Sequence, residues 1–136
     1  MERIKLLGAS TVHEWFGPPE CHEWKFPLRS CRVYDGDTLM DMVLDLGFGI
    51  TIKVSGRLDG IDAPEVRGVE KEQGVVSRDW LRSRMMDAEN VVIVTRPSGD
   101  RQQGKYGRWL ITVVADGHDL NEMMVQKKLA RRAKYS

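Results

Sequence analysis

Polar and apolar positions alternate along much of the chain, with the two-residue period of strands that have one face buried. Residues 39–46 set Met40, Met42, Leu44 and Leu46 on one side, with Asp41 and Asp45 among them, which predicts a half-buried strand. Gly47-Phe48-Gly49 supplies a reversal, and 50–55 reads as the hairpin partner, continuing through Arg57. A shorter strand over 28–34 stops at the turn Asp35-Gly36-Asp37-Thr38. Residues 71–88 change period: Val75, Val76, Trp80, Leu81 and Met85 trace a helix face, with Arg78, Asp79, Arg82 and Arg84 outside it. Strands follow at 91–94 and 109–115. A second helix starts at Asp119, where Glu122 completes the form of a capping box, and runs through Leu120, Met123, Met124, Lys127 and Leu129.

The order is strand, strand, strand, helix, strand, strand, helix. Five short strands with a helix between the third and fourth match a mainly β, five-stranded OB-fold (Greek-key) barrel carrying two α-helices. Residues 1–27 read as an N-terminal extension, and 28–136 as the barrel domain. In the extension, Trp15, Phe16, Trp24 and Phe26 interleave with Gly17, Pro18, Pro19 and Pro27. Aromatics are scarce in disordered segments, so these are expected to pack on the domain.

Composition changes this picture little. The 136 residues suffice for one domain with its own core. No apolar run nears the roughly eighteen residues of a membrane helix, and the first residues lack the apolar centre of a signal peptide, so no membrane association and a cytoplasmic location are expected. Net charge is +1, which does not by itself announce a nucleic-acid binder. The basic end, with Lys127, Lys128, Arg131, Arg132 and Lys134, reads either as a solvated helix face or as a surface for a polyanion. Cys21 and Cys31 are expected to be thiols in a cytoplasmic chain, and with His13 and His22 they fit no familiar zinc spacing.

Chemistry concentrates at Arg57-Leu58-Asp59-Gly60-Ile61-Asp62-Ala63-Pro64-Glu65. Pro64 fixes its own φ and holds Ala63 extended, so Asp62 and Glu65 sit on a stiff corner at the end of a strand that bears a cation. Acids can hold a hard metal or move a proton, and guanidinium grips phosphate. Alone, such a turn is more often just a solvated one. Its company decides the matter: Asp35-Gly36-Asp37-Thr38, the corner, Lys105-Tyr106-Gly107-Arg108, and the stretch from Asp116 to Glu122 with Leu129 and Ala130 following.

Together, in this order and spacing, these four segments resemble the staphylococcal nuclease (thermonuclease) family of calcium-dependent nucleases built on an OB-fold barrel. The resemblance covers residues 33–133. It implies that Asp37, Asp62 and the Ala63 backbone carbonyl are ligands of Ca2+ (Mg2+ or Mn2+ remaining possible), and that Asp35 is an acid close behind them. It implies Glu65 as general base, Arg57 and Arg108 as the phosphate-gripping arginines, and Lys105 and Tyr106 as contacts to the nucleotide. The partners implied are DNA and RNA, chiefly single-stranded, cut to leave 3′-phosphates. A catalytically inactive OB module binding nucleic acid or a protein is the alternative. The sequence departs from the family in having alanine at 63, where threonine is usual, and a short loop after Glu65. It also carries the aromatic extension, expected to cover barrel surface that a further C-terminal helix buries in well-known members.

Overall fold

In the computed structural model, residues 23–95 and 108–133 are described. Strand β1 (Trp24–Asp35) turns into β2 (Thr38–Gly47), which reverses into β3 (Ile50–Leu58); the short β4 (Ile61–Asp62) ends at the corner. A 3-10 turn over Gly68–Glu70 leads into α1 (Lys71–Asp87), followed by β5 (Val91–Thr95), β6 (Trp109–Ala115) and the short β7 (His118–Asp119). Helix α2 (Leu120–Gln126) and the short β8 (Arg131–Arg132) complete the described chain. None of the described helices is long and apolar enough to cross a membrane.

The sheet closes into a barrel. Neighbours run β3-β2-β1-β5-β6, and a parallel pairing of Gly56–Leu58 with Trp109–Ile111 joins β6 back to β3. These five strands and two helices are the expected OB barrel. Leu39, Met42, Leu44, Leu58, Ile93, Ile111 and Val113 fill it, with Leu81 of α1 and Met124 of α2 in the same core.

Asn121, almost fully buried, locks α2 to the barrel. Its side-chain oxygen accepts from Val113 N–H (3.1 Å), and its amide donates to the carbonyls of Ile111 and Asp59 (3.0 Å each). A buried amide satisfied on both ends specifies position, because any displacement strands a polar group away from water.

Several sequence-based expectations shift in detail. Strand β1 begins at Trp24 rather than 28, because Trp24, Lys25, Phe26 and Pro27 pair with Thr95, Val94, Ile93 and Val92. Trp24 and Phe26 stack at 6.2 Å, and Phe26 packs against the core; Trp15 and Phe16 lie outside the described residues. In β2 the two-residue period breaks. Leu39 pairs with Gly56 and Met42 with Val54, so Met40 and Asp41 together face one residue of β3. This β-bulge, with Asp41 at φ 53°, flips the phase so that Leu39 and Met42 both point inward and Met40 does not share their face.

Helix α1 buries Gly74, Ser77 and Leu81, at i, i+3 and i+7, and leaves Val76 exposed. Arg84 is not wholly outside, because its guanidinium lies 5.8 Å from the centre of the Trp80 ring. Helix α2 is shorter than expected. Lys128 adopts φ 61°, its N–H bonds Val125 O, and Leu129 N–H bonds Met124 O at 2.8 Å. That is the bond pattern of a Schellman stop, with lysine where glycine is usual. The chain then turns back, and Ala130 is buried.

A left-handed lysine costs about 1 kcal/mol relative to glycine. Lys128→Gly is therefore expected to raise stability in urea by about that amount. A chain beginning at Pro27 loses three of the four β1–β5 pairs. Its Tm is expected to fall by about 5 °C or more in a calorimetric scan, on the usual scaling of a kcal/mol or more of lost pairing and burial.

Candidate active site

Two turns with unrelated sequences meet at one end of the barrel. The first is the β1–β2 turn, where Asp37 N–H donates to Asp35 Oδ1 at 3.0 Å. The second is the corner that follows β4. Glycine at 36 lets them meet: a Cβ there would stand 2.7 Å from Ala63 Cβ and 2.9 Å from Ser77 Cβ. At that approach Asp37 Oδ2 accepts from Ala63 N–H at 2.8 Å. The other oxygen, Oδ1, meets Arg57 Nη1 at 2.7 Å and accepts from the Thr38 hydroxyl at 3.1 Å.

Arg57 sits opposite Thr38 across β2 and β3. It also donates to the Ile61 carbonyl (3.3 Å) and reaches Asp62 Oδ1 (3.4 Å). With Asp37 4% exposed and Arg57 14%, this is a buried ion pair. Removing one partner of such a pair costs about 3–5 kcal/mol, because the other is left uncompensated. Arg108, at the entry to β6, donates from Nη1 to the Thr38 hydroxyl at 3.3 Å. Asp37, Thr38, Arg57, Asp62 and Arg108 therefore form one connected cluster, although 70 residues separate Thr38 from Arg108.

Asp35 is buried beside this cluster. Burial first, and then the neighbouring Asp37 carboxyl, push its pKa up to about 7. Glu65 stands at the exposed end of the corner. Its N–H donates to Glu70 Oε2 at 3.3 Å, and its carbonyl lies against Gly74, where a Cβ would fall 2.0 Å away. Ser77, one turn on, donates to the Leu129 carbonyl at 2.6 Å. The small face of α1 thus clamps the corner from behind. Beside it runs a groove of about 430 Å³ lined by Pro64, Val76, Lys128 and Leu129, among others.

The donor set suits a hard cation: carboxylates and main-chain oxygens, with no sulfur or imidazole among the residues described at the cluster. Asp37 and Asp62 already converge on one positive centre, the Arg57 fork. Among the described residues no three His, Cys, Asp or Glu side chains are grouped to hold a metal, so a cation here would draw on a main-chain oxygen or water beside the two carboxylates.

Of the residues anticipated from sequence, Asp35, Asp37, Arg57, Asp62, Ala63 and Arg108 come together, with Glu65 at the edge; Lys105 and Tyr106 lie outside the described residues. Sequence reasoning missed Thr38 as the link to Arg108, and Gly36, Gly74 and Ser77 as the residues that permit close approach. It also missed Arg131, whose Nη2 lies 3.0 Å from Asp62 Oδ2. The small residues at 74 and 77 were a visible signal, since they interrupt the apolar face of α1.

The molecule is thus a small OB-type barrel that gathers acids and arginines at one end. The family described as staphylococcal nuclease homologue matches residues 55–136, and the chain belongs to that family. No curated protein matches the chain significantly.

Glycine to alanine within a helix ordinarily gains about 1 kcal/mol. At position 74 the new Cβ meets backbone, so Gly74→Ala is expected instead to destabilise by about 1–3 kcal/mol in a denaturant melt.

Proposed function

We propose that the protein is a calcium-dependent nuclease that hydrolyses phosphodiester bonds of DNA and RNA, prefers single strands and leaves 3′-phosphate ends. One observation carries this reading: Arg108 and Arg57 reach the same buried carboxylate, Asp37, one through the Thr38 hydroxyl and the other directly. Arg57 on β3 and Arg108 just before β6 thus both reach one acidic centre, which favours a shared grip on a phosphate there. Family membership points the same way, toward action on nucleic acid.

In this reading Asp37, Asp62 and the Ala63 carbonyl hold the divalent ion, with Asp35 behind them. When bound, the ion supplies Lewis-acid activation of the phosphate. Arg57 and Arg108 donate charge-assisted hydrogen bonds to the phosphate oxygens, contacts that strengthen as negative charge builds there. Glu65, fixed at its main chain by Glu70 and Gly74, takes the proton from the attacking water. Lys105 and Tyr106 contact the nucleotide.

Heat-denatured DNA incubated with the protein is expected to be cut in calcium and to survive in chelator, with Mg2+ and Mn2+ as parallel arms. Glu65→Gln is expected to lower kcat by about 10²–10⁴-fold. It is the informative variant, because Arg57 also neutralises buried Asp37 and its loss mixes folding with catalysis. Binding of DNA by the unaltered protein without cleavage under any of these ions would instead identify a nucleic-acid-binding module.

A further inference from the structure

Arg131 belongs to none of the roles above, yet the fold delivers it to the site. Strand β8 pairs with β4, setting Arg131 opposite Asp62 and Arg132 opposite Ile61, and Ala133 N–H bonds Gly60 O at 2.8 Å. Arg132 anchors the strand to α2 through both of its terminal nitrogens, on Glu122 Oε1 (2.8 Å) and Oε2 (3.0 Å). The Arg131 guanidinium then meets Asp62 Oδ2 through Nη2 at 3.0 Å and Nε at 3.4 Å, while the other Asp62 oxygen faces Arg57. The two arginines differ sharply. Arg57 is 14% exposed and also bound to Asp37 and the Ile61 carbonyl, whereas Arg131 is 81% exposed.

We infer that Arg131 is a displaceable counter-ion of Asp62: it competes with a divalent cation for that carboxylate and yields it when one binds. This rests on the proposal that Asp62 is a cation ligand. A guanidinium at 3.0 Å and a hard cation compete for the same Asp62 oxygen, and their charges repel across it. Arg57 opposes a cation in the same way at Asp37, but its contacts to Asp62 and the Ile61 carbonyl hold it, so exposed Arg131 is the one that yields. The competition is weak because an exposed ion pair is worth little. Arg131 thereby sets how much cation the site requires, and once displaced it is a mobile positive group at the rim, able to meet a phosphate of a bound strand.

The test measures ion binding, not turnover. Calcium is titrated calorimetrically, at low ionic strength and without nucleic acid, into the unaltered protein, Arg131→Gln and Arg131→Lys. Arg131→Gln is expected to bind calcium roughly two- to five-fold more tightly, the range corresponding to loss of an exposed ion pair. Arg131→Lys, which keeps the charge without the fork, is expected to fall between the two. Tm without calcium is expected to be nearly unchanged, because backbone pairing and Arg132 hold the strand. Equal or weaker calcium binding by Arg131→Gln overturns the inference while leaving the nuclease reading intact. Calcium binding by neither the unaltered protein nor Arg131→Gln overturns both.

Discussion

The Asp37 carboxylate is the joint on which this molecule turns. One oxygen holds the Ala63 amide and the other holds the Arg57 guanidinium. With those two contacts a single side chain ties the first hairpin, the third strand and the acidic corner into one unit. Nearly full burial raises the stakes, since a carboxylate away from water persists only while its partners stay in place. The charge of the cluster also keeps the two turns together.

Such a joint needs room. The β1–β2 turn, the corner and α1 approach until only glycine fits at 36 and 74, with alanine at 63 and serine at 77 between them. Large side chains would build a better core there and a worse site. The apolar weight of the fold is carried instead by the barrel interior and by Leu81 and Met124, the latter reaching the back of the β1–β2 turn. Stability and chemistry are thus divided between neighbouring stretches of the same elements.

How much of this could be read from sequence follows from the range of each interaction. Strands with two-residue alternation, the reversal at Gly47 and Gly49 and the Asp119 cap are local, and they stand where local rules put them; Asp119 accepts from Glu122 N–H at 3.0 Å. The bulge at Asp41 and the helix stop at Lys128 are also local, but each puts a residue other than glycine at positive φ, so no glycine marks them. Long-range contacts had no sequence signal of their own. Nothing in the run of basic residues at the C-terminal end distinguishes Arg131, on Asp62, from Arg132, on Glu122. Their division of labour comes from strand alternation in a two-residue strand too short to recognise. The acids and arginines of the cluster were legible only because four separate segments together resembled a known family.

Pairing of β8 with β4 also bears on how the molecule comes into being. Asp62 and Arg131 lie 69 positions apart, and Thr38 and Arg108 lie 70 apart. A chain emerging from its N-terminal end therefore presents the acidic corner with Arg57 beside it, well before Arg108 and Arg131. Contacts of such long separation form late, because the intervening loop must close first. Until then Arg57 alone balances Asp37 and Asp62, and the outer charge of the cluster is completed only when the C-terminal strand arrives.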